Sequence, residues 1–284
     1  MKMSKLILVS FADKRYRNSL TRLELQTKDF PFDERYFLTQ ENCLSKEYWR
    51  SLKPWLYRRG YGFWAWKASI VKEHLARLDE GDLLFWSDAG IYWNYTEKSK
   101  VKFDEYIQML AGENDILAFS QPTIEKEWTK GDVLNALGVY DDDKICNSNQ
   151  LWAGLFLIKK TARTMGLIDR WIELNDLKRE LITDKRSTIP NKEGFKEHRH
   201  DQSIFSVLVK TYPHVEIPWQ ETQVEDGNWD KLKDYPIQAR RLKELDRPKS
   251  EIIKNKLLRP WRDFLGFYFK RIRHYEYLCD HYPW

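Results

Sequence analysis

Two carboxylates in this chain stand where they could do chemistry. Asp88 closes the apolar run Leu83-Leu84-Phe85-Trp86 and is followed by the small residues Ala89 and Gly90. A short apolar block bounded by Gly81 and Asp88 reads as a buried strand. Asp88 would then stand at the carboxyl edge of a sheet, where open α/β sheets hold their ligands. Asp201 follows His198-Arg199-His200 and precedes Gln202, Ser203 and the helical spacing of Ile204, Phe205, Val207 and Leu208, which is the place of a helix N-cap. Each has two readings: Asp88 is a solvated turn residue or a ligand, and Asp201 is a cap or a reacting group. As working groups, carboxylates hold a cation or take a proton from a hydroxyl within hydrogen-bond reach.

The elements that must position them are legible. Lys5 to Phe11 is an apolar first strand, followed by Ala12-Asp13 and a helix carrying Leu20, Leu23 and Leu25, the start of a βαβ unit. Arg35 to Leu38 is a second strand, Lys46 to Leu52 a helix, and Pro54 to Gly60 a connector. Ala68 to Leu78 places Ile70, Val71, His74, Leu75 and Leu78 at helical spacing and feeds the strand that ends at Asp88. Lys98 to Ala111 is expected as a helix with Val101, Tyr106, Met109 and Leu110 inward, and Ile116 to Phe119 as a strand. Glu127 to Leu134 reads as a loop entering a helix that ends near Gly138. Asn149 to Ile158 is a strand with the small pair Ala153-Gly154 in its middle, so something lies close against its backbone. Thr161 to Leu181 is a long amphipathic helix. Thr183 to Arg199, polar and containing Pro190 and Gly194, reads as a mobile loop. Val215 to Ile217 is a last strand.

At 284 residues the chain suits one large α/β domain, or one with an appendage. Thirteen Trp, 15 Tyr and 14 Phe exceed the ordinary needs of a core, and such rings stack on sugars and nucleobases as readily as on one another. Cys43, Cys146 and Cys279 are odd in number and far apart, suggesting a reducing compartment rather than a disulfide framework or a metal cluster. The run Leu6 to Val9 is too short for a secretory core, and nothing approaches the roughly 18 apolar residues of a membrane span, so a cytoplasmic protein is expected.

Nine Lys and Arg between Arg247 and Arg273 face only Glu251 and Asp263. With Glu276 and Asp280 the segment from 247 onward carries the whole formal charge of +5. Its interleaved cations and aromatics, Leu257 to Arg273, suit a helix in an anionic membrane interface; the other reading is a helix packed on the domain with a solvated basic face. Confinement of the charge to one end speaks against a nucleic-acid partner.

Six stretches stand in a telling order: Val9-Ser10-Phe11-Ala12, Tyr61-Gly62-Phe63-Trp64-Ala65-Trp66-Lys67, Trp86-Ser87-Asp88-Ala89-Gly90, Trp128-Thr129-Lys130-Gly131-Asp132, Leu151-Trp152-Ala153-Gly154 and His200-Asp201-Gln202-Ser203. Over roughly residues 5 to 240 the chain resembles bacterial glycosyltransferases of the GT-A type, in particular small enzymes of lipopolysaccharide, O-antigen or capsule assembly. The resemblance implies an α/β fold: a GT-A-like single Rossmann-type domain with a mixed central sheet. This catalytic domain would span residues 1–246 and bind nucleotide sugar and acceptor, with 247–284 as a basic aromatic helical tail at the membrane surface.

The resemblance also implies a site. Phe11, Ala12 and Asp13 would surround the nucleotide, with Trp66 and Lys67 behind it and Lys67 reaching a phosphate as a point charge. Asp88, Ala89 and Gly90 occupy the family's Asp-x-Asp motif, where carboxylates hold a divalent cation, Mn²⁺ or Mg²⁺, on the donor's diphosphate. The second Asp position is Gly90, so one carboxylate remains. His198 or His200 would complete a metal site with Asp88, or Lys67, Lys130 or Arg199 would replace the ion. Asp201 and Gln202 resemble the Asp-Gln pair at a helix head close to the reacting sugar carbon. Asp201 would be the base of an inverting reaction, or would orient the donor in a retaining one with Gln202 under the anomeric carbon. Asn149, Gln150, Trp152 and Gly154 would border donor sugar and acceptor.

The implied activity is transfer of a hexose, galactose or glucose, from a UDP-hexose to a saccharide or lipid-linked glycan of a surface polysaccharide, at the cytoplasmic face of the inner membrane. A sugar-phosphate nucleotidyltransferase would need a Gly-rich basic loop after the first strand, and Ser10 to Arg15 is not one. A non-catalytic sugar-binding or membrane-docking module is the alternative, supported by Gly90.

Overall fold

The computed structural model describes residues 4–13, 16–51, 59–176 and 178–240. The expected tail from 247 and most of the connector at Pro54 to Gly60 lie outside them.

β1 (Leu6–Phe11) is buried at all six positions, as a strand covered on both faces must be. It pairs in parallel with β2 (Glu34–Leu38) on one side and β3 (Leu83–Ser87) on the other. β6 (Asn149–Lys159) then runs antiparallel to β3, β5 (Ile116–Ile124) antiparallel to β6, and β7 (His214–Ile217) parallel to β5. The sheet is therefore mixed, in the order β2-β1-β3-β6-β5-β7. A second sheet pairs β4 (Tyr92–Trp93) with β8 (Ile237–Gln238), two-residue strands that leave no periodic signal in the sequence.

Alternate side chains of each strand enter two cores, one per face. Ile7, Val9, Leu84, Trp86, Phe156 and Ile158 pack under α4 (Trp66–Leu75), α9 (Ala162–Asp176) and α10 (Asp201–Lys210). Leu6, Leu8, Leu83, Phe85, Leu155 and Leu157 pack under α5 (Glu97–Gln108) with Phe30, Phe32 and Trp93. The remaining helices are α1 (Arg17–Thr27), α2 (Lys46–Ser51), α3 (Gly60–Phe63), α6 (Glu125–Trp128), α7 (Gly131–Ala136) and α8 (Asp143–Cys146).

The chain leaves β1 for β2 on one side and then crosses from β2 to β3 on the other, so the carboxyl ends of β1 and β3 flank a topological switch point. Such a point opens a crevice for ligands. Ala12 and Ala89, just past the two strand ends, pack together there with Leu20, and an Arg22 guanidinium nitrogen donates to the Ala89 carbonyl at 3.0 Å.

Four expectations change. Leu25 is 65% exposed, so of the three leucines α1 turns Leu20 and Leu23 inward, with Ser19 and Thr27. In α5 the buried stripe is Phe103, Tyr106 and then Leu110, while Val101 and Met109 face outward; spacings of three and four residues from Phe103 follow the helix better than those from Val101. α9 stops at Asp176 rather than Leu181, and a 3₁₀ turn, Arg179–Leu181, follows. Asn175 and Asp176 are residues that compete for backbone hydrogen bonds and weaken a helix.

Fourth, the stretch 183–199 is tied down rather than loose. Lys130 Nζ donates to the carbonyls of Glu180, Thr183 and Lys185. The Asp132 carboxylate accepts from the amides of Thr188 and Ile189, and Asn191 Oδ1 accepts from the Gly131 amide at 2.8 Å. A Cβ at Gly131 would meet the Pro190 carbonyl oxygen at 2.4 Å, so glycine permits this close approach.

Candidate active site

Asp88 follows the last residue of β3. Its amide donates to the Gly154 carbonyl on β6 at 2.8 Å, and its Oδ1 accepts from Trp86 Nε1 at 2.9 Å, two residues back on the same side of the strand. Across from it lies the small pair of β6. Lys67 Nζ donates to the Ala153 carbonyl at 3.0 Å. A Cβ on Gly154 would stand 2.7 Å from Asp88 Oδ2 and 2.6 Å from Trp152 Nε1. The small pair thus lies close against Lys67 and Asp88, with the ring of Trp152, from the same strand, beside Gly154. Gly154→Ala should displace the Asp88 carboxylate and lower turnover by roughly 10 to 100-fold, the scale of a small misplacement at a reacting site. Comparing kcat with the thermal midpoint checks this, since the substitution should affect the first far more.

Lys67 comes from α4 and is 2% exposed, with Nζ 3.2 Å from Asp88 Oδ1 and 3.2 Å from Asp201 Oδ2. Burial disfavours the ammonium, but Asp201 and Asp88 outweigh it and hold the pKa above the ordinary lysine value. A permanent cation therefore joins two carboxylates from distant parts of the chain. Its Nζ also lies 5.7 Å from the centroid of the Trp86 ring, within reach of a cation–π attraction.

Asp201 is the first residue of α10, not its cap. The cap position belongs to His200, which makes no side-chain capping bond and has φ 57°, ψ −124°. This is backbone strain of a kind that clusters at functional sites. The Asp201 carboxylate turns to Lys67 instead. Burial, with the Asp88 charge adding, pushes its pKa up to about 6 against the pull of Lys67.

A second strained segment touches His200. Tyr61, Phe63 and Trp64 all have positive φ, as do Gly60 and Gly62, and the Phe63 ring lies 4.8 Å from the His200 ring. Each non-glycine residue so placed costs about 1 kcal/mol or more.

The histidines do not join Asp88. His200 Nδ1 lies 2.8 Å from the Ile182 carbonyl and its Nε2 3.5 Å from Asp184. His198 is buried beside it, which, with the Lys130 charge, holds its pKa well below the ordinary histidine value. Among the described residues no group of three or more His, Cys, Asp or Glu gathers that could hold a metal ion by itself. A divalent ion wants several oxygen ligands. Here Asp88, its side chain 37% exposed, is the open carboxylate, and Lys67 occupies the point where an ion would join it to Asp201. The residues present do not fit a resident Mn²⁺ or Mg²⁺, and Asp88 with His200 is not a ligand pair.

Lys130 donates to the loop carbonyls, with burial lowering its pKa to about 8. Arg199 stacks on Trp128 at 4.0 Å. Of the three basic groups expected to replace an ion, Lys67 is the one at the carboxylates. A Cβ on Gly90 would meet nothing within 4 Å, so Gly90→Asp should be accepted and supply a second open carboxylate. Calorimetric titration with Mn²⁺ should then show binding strengthened by roughly tenfold or more, as added ligand charge does.

At the crevice, Ala12 packs beside Ala89, with its amide on the Leu38 carbonyl at 3.0 Å, and Asp13 is half-buried at the rim. Phe11 and Trp66, each 5% exposed, are core rings 4.3 Å apart. They could meet a nucleotide only through backbone groups. Asn149 accepts from Lys210 Nζ through its carbonyl at 2.7 Å. Gln150 is fully buried, and its Oε1 accepts from Gln202 Nε2 at 2.9 Å. Trp152 and Gln202 remain half-buried at the site. Sequence reasoning missed Glu125, buried behind Gln150; nothing in Ile124-Glu125-Lys126-Glu127 sets it apart from a solvated face.

No protein-family model matches the chain, and no curated protein matches it. Among solved structures, the chain is similar to a glycosyltransferase involved in glycosylation of the major capsid of PBCV-1: 12% identity, TM-score 0.44, covering 82% of this chain and 92% of that one. It is similar to the galactosyltransferase LgtC, solved with donor and acceptor sugar analogues, at 14% identity and TM-score 0.43, covering 82% and 85%. Mouse xyloside xylosyltransferase 1 gives 11% identity and TM-score 0.42, covering 82% and 93%. At likenesses this distant, the chemistry rests on the chain's own residues.

Proposed function

We propose that the chain is a glycosyltransferase moving a hexose, galactose or glucose, from a nucleotide sugar, a UDP-hexose first, to a saccharide acceptor in surface polysaccharide assembly. The observation that carries this is the buried ammonium of Lys67, 3.2 Å from both Asp88 at the β3 edge and Asp201 at the head of α10. Glycosyl transfer needs a place for a diphosphate beside a group that serves the reacting carbon. The crevice between β1 and β3, rimmed by Ala12, Asp13, Asp88, Ala89 and Gly90, offers the first, and Asp201 with Gln202 offers the second.

In the inverting form, the acceptor oxygen bonds to the anomeric carbon as the carbon–phosphate oxygen bond breaks. Asp201 takes the hydroxyl proton and the nucleoside diphosphate leaves. A carboxyl whose pKa is about 6 is ionised at neutral pH yet basic enough for this role. In the retaining form the same group orients the donor. A Mn²⁺ or Mg²⁺ ion would arrive as the counter-ion of the diphosphate. A thermal-shift screen of nucleoside diphosphates and nucleotide sugars, with and without Mn²⁺, tests the reading. A ligand that binds only the folded state raises the midpoint, and no shift with any nucleotide would contradict the proposal.

The acceptor's lipid carrier and a place on the cytoplasmic membrane face go with the basic aromatic tail from 247. Among the described residues no helix is long and apolar enough to cross a membrane. Deleting residues 247–284 should release the protein from anionic vesicles in co-sedimentation; unchanged binding would remove the tail from the account.

A further inference from the structure

Glu125 is completely buried at the start of α6, and every hydrogen bond to its carboxylate runs inward. Its Oε1 accepts from Thr129 Oγ1 at 2.5 Å and Gln150 Nε2 at 3.1 Å. Its Oε2 accepts from Ser206 Oγ and from Lys210 Nζ, the latter at 2.6 Å. A carboxylate paired with an ammonium has no proton to give, so the bonds have a fixed direction.

That direction propagates. Thr129 uses its one hydroxyl proton on Glu125 and can only accept from Gln150 Nε2, 3.0 Å away. Ser203 uses its own on the Trp128 carbonyl at 2.6 Å and can only accept as well. The NH₂ end of Gln150 is therefore pinned toward Glu125, Thr129 and Ser203, and its oxygen must face Gln202. Gln202 must then donate, and does so from Nε2 at 2.9 Å. An amide whose nitrogen is held this way carries its carbonyl oxygen on the other side.

We infer that Glu125 is a positioning residue that acts through Gln150 to fix the Gln202 carboxamide, so that Gln202 offers substrate its carbonyl oxygen and not its NH₂. This rests on the transferase reading. An oxygen so fixed accepts from a sugar hydroxyl, or lies against an electron-poor anomeric carbon, without reorganisation during the reaction. Either amide orientation would satisfy a half-buried glutamine on its own, and the buried charge removes the choice.

Glu125→Gln keeps the shape and removes the charge, so the new amide can give Gln150 a donor and let both amides turn. Its kcat should fall by roughly 10 to 100-fold, with the KM for the nucleotide sugar changed by less than about threefold. Ser206→Ala removes another donor to Glu125 without touching the Gln150–Gln202 bond; it should lower the thermal midpoint and leave kcat near wild type. Wild-type kcat in Glu125→Gln, or equal kcat losses in the two variants, would make Glu125 a packing residue and overturn the inference.

Should Glu125→Gln fail to fold, hydrogen exchange of the ¹⁵N-labelled glutamine side chains of the wild-type chain decides by NMR. A slowly exchanging Gln202 Nε2 proton supports the relay, and fast exchange overturns it. The two failures are separate: a wild-type chain that turns over no nucleotide sugar ends the function proposed above, whereas free exchange at Gln202 ends the relay.

Discussion

Lys67→Met should abolish measurable transfer near neutral pH and move what remains to alkaline pH. The substitution fills a similar volume but takes the cation from between Asp88 and Asp201, whose carboxylate oxygens each lie 3.2 Å from Nζ. Burial already raises Asp201, with Lys67 opposing. Without Lys67 the acid holds its proton to higher pH, as buried carboxyls do when unpaired. Removing one partner of a buried pair costs about 3 to 5 kcal/mol. Here protonation limits the loss, so the variant should be most destabilised at pH 8 and least at pH 5. Thermal midpoints at the two pH values, with a pH–rate profile, measure both effects. A profile whose acid limb stays at about 6 would show that Lys67 does not control Asp201.

Asp201→Asn should lower kcat by roughly 10³-fold, within the range of general acid–base contributions, without unfolding the chain. Its stability should move the opposite way to its activity. The folded pKa of about 6 exceeds the value of 3.8 for an unperturbed Asp, so between those pH values the folded chain holds more proton than the unfolded one. This group's contribution to stability is therefore full below about 3.8 and is lost as pH rises through about 6. Asparagine does not titrate. At pH 7 to 8 the variant escapes a penalty of at most about 3 kcal/mol, a figure that already includes the pull of Lys67 on Asp201. Its midpoint should exceed wild type above pH 7 and converge on it near pH 4, where the wild-type carboxyl is also neutral in the folded chain. Wild-type transfer should rise through about pH 6 as the carboxylate forms. An Asn variant that transfers at the wild-type rate would remove Asp201 from the chemistry.

Much of this was legible because burial on both faces leaves continuous apolar runs. β1, β3 and β6 stand within a residue or two of where the sequence puts them, and Asp88 directly follows β3, as its place after the run ending at Trp86 implies. The Ala153-Gly154 pair announced a close neighbour, and the structure supplies two from elsewhere in the chain, Lys67 and Asp88.

What escaped was of other kinds. A cap and a first helical residue are adjacent in sequence but about 100° apart around the helix, and that single step decides whether Asp201 serves its own backbone or Lys67. Glu125 reads as an ordinary charged residue, and Lys67 is expected at a phosphate or in place of an ion rather than between two carboxylates, because a sequence does not show which charges are paired and buried. Phe103 was passed over for Val101 since both suit a helix, and only the position of the sheet chooses between them. The left-handed turn from Gly60 to Trp64 rests on long-range packing against His200, which no local pattern encodes.

The most direct test of the central claim follows nucleoside diphosphate release from a panel of nucleotide sugars, with wild type and Asp201→Asn assayed side by side and the binding of each sugar measured separately. The account predicts that one nucleotide family binds both proteins, and that only wild type releases its diphosphate at an appreciable rate, with the rate rising through about pH 6. Equal release by both proteins, or binding of no nucleotide sugar by either, would contradict it.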